Sequence, residues 1–313
     1  MVEDAEIKAE ISPFAIRENE IKVFDGVDKY VSVNQIVHKT NLGHINEIHF
    51  KILEIINKFE FMTSRQLFQI MEYMGIDIKA QDKLNNKLEQ LLKTKIVTRY
   101  YFDSEEGKGI YRLYCLEKMG KYLLTSRGVE TRWQPTDNTK PVEMIKKRLA
   151  GNQILLAYLR KVKAVTGEYT VKPVINAKQH AIQFKASGGS IELSKNNKSI
   201  EFVFEIIRRE EGWDKKLAER VKLYQDFYQT FSPVDSGFKK MPQLIFVCED
   251  EKHMAETFKE IVKNEIEIPE IKLYFTTDLR QNEEKLTNTL TEFKIDEETK
   301  KYKAEILELK LLD

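Results

Sequence analysis

Hydrophobic residues recur at helical spacing between residues 46 and 93 and then at strand spacing up to residue 116. The apolar positions of 46–59 are three or four residues apart, which predicts a helix with one buried face. A short second helix follows Thr63, and a third spans about 79–93 with its leucines on one side. Two strands flank a charged tip that contains glycine, and a closing helix ends near Gly128.

This order of elements predicts a winged helix-turn-helix over residues 45–132. Residues 1–44 begin acidic and alternate only weakly, so we expect an N-terminal arm there. Residues 133–141 are rich in turn formers with a proline near each end, which predicts a linker. From residue 142 to 313, helices and strands alternate, which predicts an α/β domain with a mixed sheet. The expected fold class is therefore α+β with two domains.

Composition narrows the class of protein. Hydrophobic residues make up 42% and charged residues 32%, which is typical of a globular chain. The 51 basic residues nearly cancel the 50 acidic ones, so only local patches can indicate an anionic partner. The two cysteines lie far apart in apolar, strand-like segments and predict buried thiols rather than metal ligands. Without an apolar run typical of a signal peptide or membrane span, we expect a soluble, cytoplasmic protein with no membrane partner.

Candidate DNA-contacting residues lie on the outer face of the third helix, on the predicted hairpin and at the start of the long helix that follows the linker. Lysine, asparagine and glutamine are the residue types that reach base edges and phosphates. The basic cluster of the long helix opposes the helix dipole; a nucleic-acid backbone is one reason for it, and ordinary solvation is the commoner one. The candidates are Lys79, Gln81, Lys83, Asn86, Lys87, Arg99, Lys108, Arg112, Lys146, Lys147 and Arg148.

The second half also resembles the core of the PD-(D/E)XK nuclease fold, a restriction-endonuclease-like architecture. In that fold an acidic residue on one strand and a Glu-x-Lys on the next bind a divalent cation and activate water. Glu205 lies on the corresponding strand, but the lysine position is Ile207. The preceding strand offers Glu192 and no partner aspartate. We therefore expect no catalytic residue, no metal and no cofactor, with a metal-dependent nuclease as the alternative.

Taken together, the chain resembles the replication-relaxation family of plasmids and mobile elements. Glu205 and Arg208 match that family's third-strand pattern, Ile207 replaces its second acid, and Lys222, Tyr224 and Tyr228 fit its helix pattern. The resemblance implies a non-enzymatic DNA-binding role in replication, transfer or transcriptional control of a plasmid or mobile element. It also implies replication or transfer proteins as partners.

The preferred hypothesis is a protein that binds double-stranded DNA and reads its sequence. We expect a homodimer, because one winged helix covers only a half-site. A module that binds other proteins through both domains stays open as an alternative, since a polar helix face is also what any solvated helix shows.

Overall fold

The computed structural model describes residues 11–105, 107–162, 165–196, 198–264, 272–295 and 302–309, except for the side chains of 107–110, 165–167 and 302. Over this part the chain is a mixed α+β fold that contains a mixed sheet, as the sequence predicts. No helix in it is both long and apolar enough to cross a bilayer.

The elements of the first half form a four-stranded antiparallel sheet with helices packed beside it. Its strand order is β1-β3-β4-β2. The arm therefore contributes an edge strand, β1, to the hairpin. The elements are β1 (Ile21–Phe24), α1 (Val33–Asn41), α2 (Glu47–Phe59), β2 (Met62–Thr63), α3 (Ser64–Tyr73), α4 (Gln81–Lys93), β3 (Val97–Ser104), β4 (Gly107–Leu116) and α5 (Lys118–Ser126).

Local sequence signals explain where the helices of this half begin and which faces they bury. The Thr63 hydroxyl accepts a hydrogen bond from the Gln66 backbone, and the Gln66 side chain accepts one from the Thr63 backbone. This capping box satisfies two N–H groups at the start of α3. The four leucines predicted to face inward on α4 are fully or almost fully buried, which confirms its inner face: Leu84, Leu88, Leu91 and Leu92.

The second half is built on a seven-stranded sheet of order β13-β12-β11-β10-β9-β8-β5. Strands β9, β10 and β11 are parallel, and the other pairings are antiparallel. A separate hairpin is formed by β6 and β7. The elements are α6 (Val142–Lys161), β5 (Val165–Thr170), β6 (Val174–Ala177), β7 (Ile182–Lys185), β8 (Gly189–Lys195), β9 (Lys198–Ile206), α7 (Trp213–Gln229), α8 (Pro233–Ser236), β10 (Gln243–Cys248), α9 (Glu251–Lys263), β11 (Leu273–Thr277), β12 (Leu290–Ile295) and β13 (Tyr302–Leu307).

Helix α6 joins the two halves through one continuous hydrophobic core, which extends from the helices of the first half to the seven-stranded sheet. Asn152, on α6, is fully buried and donates hydrogen bonds to the carbonyl oxygens of Phe59 and Phe61, at 3.2 and 2.8 Å. The segment 133–141 is ordered and packed: it contains a 3-10 turn, and the Asn138 amide donates to the Leu116 carbonyl at 2.9 Å.

Residues 12–20 lie across the carboxyl end of the parallel strands. The Ser12 hydroxyl donates to Asp278, which follows β11. The Ile16 backbone N–H donates to Glu249, which follows β10, at 3.3 Å. The arm is therefore attached to the sheet of the second half as well as to the hairpin of the first.

Candidate nucleic-acid interface

The outer face of α4 is open to solvent. Lys83, Asn86 and Gln90 are three or four residues apart, so they share one flank of the helix, and all three are exposed. Lys79 is exposed just before the helix, and Lys87 is half-buried. These lysines form no ion pair within the described residues. The flank therefore presents the Lys83 ammonium and the Asn86 amide to solvent, on the side away from the buried leucines, whereas the Gln90 amide oxygen is bonded to the His49 ring at 2.7 Å.

A second flank of α4 carries Gln81, Asn85 and Glu89, two of which bind other elements of the first half. Both amide hydrogens of Gln81 are used, since its nitrogen donates to the Ser64 carbonyl and to the Asn85 side chain, each at 3.2 Å. Glu89 pairs with Arg99 of β3. Gln81 therefore anchors the start of α4 to the start of α3.

The two predicted arginines of the hairpin both bind the Asp25 carboxylate. The Nε atom of Arg99 lies 2.9 Å from it, and that of Arg112 lies 2.7 Å from it. The Arg99 side chain is only 13% exposed and also binds Glu89, whereas that of Arg112 is 61% exposed. Arg99 thus serves the fold, and Arg112 keeps an exposed guanidinium. The side chain of Lys108 lies outside the described residues.

The basic cluster at the start of α6 is not a surface patch, and for two of its residues the sequence-based expectation is wrong. Lys146 is 2% exposed, and its ammonium lies 2.5 Å from the Glu20 carboxylate. Arg148 is 8% exposed and donates to the Val171 carbonyl at 2.9 Å. Both are enclosed because α6 lies between the two halves.

Lys147, the third residue of that cluster, is half-buried and forms an ion pair with Glu210. Glu210 also lies 3.4 Å from Lys216 of α7, so its carboxylate is shared by two lysines. The structure therefore separates the eleven sequence-predicted residues: the α4 lysines and Asn86 lie together on one exposed flank, and the α6 cluster does not join them.

Arg65 is a candidate that the sequence reasoning missed. It is exposed in the first turn of α3 and lines an open cleft of about 850 Å³ together with Asn85, Tyr101 and Arg112. Its outward direction follows from the helical period, because Leu67, Ile70 and Met71 define the buried side of α3. The cleft places one more cation between α4 and the hairpin.

Glu205, the candidate metal ligand of the second half, is 5% exposed and its carboxylate is fully hydrogen-bonded. It accepts from the Tyr224 hydroxyl at 2.7 Å, the Ser187 hydroxyl at 3.0 Å and the Arg220 Nε at 3.1 Å. Arg220 was missed by the sequence reasoning; it lies one helical turn before Tyr224 on α7, so helical spacing was the available signal. These donors leave the Glu205 oxygens facing protein groups.

Glu192 does not reach the same place. It lies opposite Glu201 in the β8–β9 register, four residues along β9 from Glu205, a separation of about 13 Å. Glu192 binds Lys239 at 2.9 Å instead. Among the described residues, no group of three or more histidine, cysteine, aspartate or glutamate side chains is arranged to hold a metal ion.

Two other residues that match the family pattern form hydrogen bonds inside the protein, and a third is exposed. Arg208 is fully buried and donates to both carboxylate oxygens of Asp278, each at 2.9 Å. The Tyr228 hydroxyl donates to the Pro242 carbonyl at 3.0 Å. Lys222 is exposed. Among the described residues that match, Tyr224 contacts both Glu205, through its hydroxyl, and Tyr228, through ring stacking with centroids 6.4 Å apart.

Comparison with known proteins gives little similarity. No family model and no curated protein matches the chain. Among solved structures, that of the restriction endonuclease FokI is similar with a TM-score of 0.28 and 11% sequence identity, over 75% of this chain and 43% of the FokI chain. The chain thus spans less than half the length of that structure, and a similarity this weak carries no argument about fold or activity.

Proposed function

We propose that residues 45–132 form a winged helix-turn-helix that binds double-stranded DNA, with α4 in the major groove and the β3–β4 hairpin as the wing. The element order α2, β2, α3, α4, β3, β4, with β2 paired to β4, supports this arrangement. The observation that carries the proposal is the two-sided character of α4. Its leucines are buried, while Lys83 and Asn86 remain exposed on the other side.

Each exposed group of this surface has a role that suits a duplex. Lys79, Lys83 and Lys87 would neutralise phosphates, which makes affinity depend strongly on salt. Asn86 would reach a base edge, because its amide offers one donor and one acceptor in the pattern that adenine presents. Arg112 and Arg65 would contact the flanking backbone from the hairpin and from α3. A homodimer would cover two half-sites.

We propose a non-catalytic role for the second half, in a protein of the replication-relaxation type with a restriction-endonuclease-like domain. The saturated Glu205 carboxylate supports this role, since a metal ligand needs an oxygen that is not already held by an arginine and a tyrosine. Such a protein would act in the cytoplasm on the replication, transfer or transcriptional control of a plasmid or mobile element, beside replication or transfer proteins.

The test measures the binding of random-sequence duplex DNA by fluorescence anisotropy at a series of salt concentrations. The variant is Lys83→Glu with Lys87→Glu. The matched control is Lys215→Glu with Lys259→Glu, on α7 and α9, where both lysines are exposed and form no ion pair within the described residues. Loss of two phosphate contacts lowers the slope of log K against log salt by about 1.8, with no change in the control. No wild-type binding at low salt, or equal loss in both variants, would refute the proposal.

A further inference from the structure

A second basic surface lies where the two halves meet, at a cleft of about 500 Å³ that we call the junction cleft. Its walls come from the end of α2, from the packed segment 130–140 and from the residues around β6 and β7. Four lysines and one glutamate among its lining residues carry the argument: Lys58, Lys140, Lys172, Lys185 and Glu60.

Positive charge exceeds negative charge at this cleft. Three cations share the Glu60 carboxylate: Lys172 binds it directly, and Lys140 and Arg148 each lie 3.8 Å from it. Lys140 also pairs with Asp137 at 2.8 Å. One carboxylate compensates about one of these cations, so at least one charge in the group is left without a counter-charge.

The remaining two lysines of the cleft have no carboxylate partner within the described residues. The Lys58 ammonium lies 3.7 Å from the centre of the Tyr169 ring, a cation–π contact that leaves its charge uncompensated. Lys185 is exposed, and its ammonium forms no hydrogen bond or ion pair within the same part of the chain. Both side chains are therefore exposed and available to an anion, and the Tyr169 ring also positions that of Lys58.

Burial and neighbouring positive charge disfavour the charged forms of two cations in this group. Burial lowers the pKa of Lys172, and the neighbouring Arg148 lowers it further against the attraction of Glu60. Burial likewise lowers the pKa of Arg148 despite the same carboxylate. Both charged forms are therefore less stable than in water, and an added anion would stabilise them.

The backbone at Glu60 is held in a rarely used conformation. Its φ is +68° and its ψ is −67°, and the Phe61 N–H donates to the Phe59 carbonyl at 3.0 Å. This is the rare form of γ-turn with positive φ, which is strained for a residue with a side chain. Asn152 fixes the turn by donating to the carbonyls on both sides of Glu60. The fold thus keeps one carboxylate fixed among the cations.

We propose that the junction cleft binds a phosphate group, contacted by Lys172, Lys185 and Lys58, with Lys140 and Arg148 supplying further positive potential. Phosphate is the anion that suits several converging ammonium donors, because its oxygens accept hydrogen bonds in many directions at once. The phosphate belongs either to a nucleic-acid backbone or to a small phosphorylated compound. The site is separate from α4 and does not depend on the winged-helix proposal.

Calorimetric titration of the full chain with inorganic phosphate, at constant ionic strength, tests the site itself. We expect a dissociation constant on the order of millimolar, as for a compact anion. Lys185→Ala is the informative variant, because the Lys185 ammonium has no partner in the described part of the chain and its loss should leave the fold intact. It should weaken phosphate binding at least threefold, and Lys172→Ala with Lys185→Ala at least tenfold. Lys215→Ala with Lys259→Ala is the control and should bind as the wild type does.

Duplex binding of the same variants identifies the source of the phosphate. A salt slope reduced by about 1 to 2 in the Lys172→Ala, Lys185→Ala protein indicates a nucleic-acid backbone, and an unchanged slope indicates a small phosphorylated compound. A titration that shows no phosphate binding, together with an unchanged salt slope, would overturn the inference. The two proposals fail separately, since Lys83→Glu with Lys87→Glu should leave the titration with inorganic phosphate unaltered.

Discussion

Replacing Asn152 by leucine removes the contact by which α6 holds the end of α2. Leucine has the same number and branching of side-chain heavy atoms as asparagine but donates no hydrogen bond, so the carbonyls of Phe59 and Phe61 both lose their side-chain donor. Asn152 is fully buried, so no solvent molecule can take over its hydrogen bonds. The change tests whether the junction between the halves contributes to global stability.

The expected loss follows from what each carbonyl retains. The Phe59 carbonyl keeps the Phe61 N–H as a donor, so it loses an ordinary hydrogen bond worth about 1 kcal/mol. The Phe61 carbonyl has no second donor within the described residues, and a buried acceptor without a partner costs about 1–3 kcal/mol. Leucine also removes the Asn152 Oδ1, which has no hydrogen-bond partner, and this offsets about 1 kcal/mol. The net loss is about 1–3 kcal/mol.

Urea denaturation followed by circular dichroism measures the effect. With a slope of about 3 kcal/mol per molar urea, the midpoint should fall by roughly 0.3–1 M. Asn57→Leu is the control, since Asn57 is half-buried and donates to one carbonyl, that of Glu130, at 2.9 Å. A loss at Asn152 no greater than that at Asn57 would contradict the reasoning. Two transitions, with only one shifted, would show that the halves unfold separately.

Three further results are expected. Burial lowers the pKa of His253 to about 3, so the unfolded chain takes up a proton between pH 6.5 and 3 that the folded chain does not. The free energy of unfolding should therefore decrease as the pH is lowered through this range, by at most about 4–5 kcal/mol. Urea denaturation at several pH values should show a smaller decrease in His253→Gln. Gly151→Ala places a Cβ 2.7 Å from the Ser187 carbonyl oxygen, a backbone atom, and should lower stability by about 1–3 kcal/mol in thermal melts; an unchanged melt would mean that α6 shifts freely. Glu205→Ala leaves Arg220 without its carboxylate partner and should lower stability by about 3–5 kcal/mol in calorimetry. If magnesium raised the melting temperature of the wild type but not that of the variant, a purely structural role for Glu205 would be contradicted.

The sequence predicts most reliably what is set by neighbours a few residues away. The inward leucines of α4 follow from their period, and so does the outward direction of Lys83. The capping box at Thr63 is likewise a local signal. These features need only the helix geometry, and one of them, the outward Lys83, belongs to the proposed interface.

Partners far apart in the chain could not be predicted. Lys146 and Arg148 look like a surface patch because their sequence neighbours are also basic, yet α6 is covered on several sides by the two halves. The pairing of Arg99 with Asp25 depends on the edge strand β1, whose alternation is weak. Nothing local distinguishes a cation that a distant carboxylate compensates from one that remains available to a ligand.

The attachment of residues 12–20 has a consequence for how the molecule assembles. Ser12 and Asp278 are 266 positions apart, and Ile16 and Glu249 are 233 apart. Closing loops of that length is slow and is rewarded only once the parallel strands exist, so this segment should dock last during folding and detach first on heating. A dye placed near Ser12 would therefore follow the completion of the tertiary structure, and amide exchange at Ile16 would report how often the molecule loosens without unfolding.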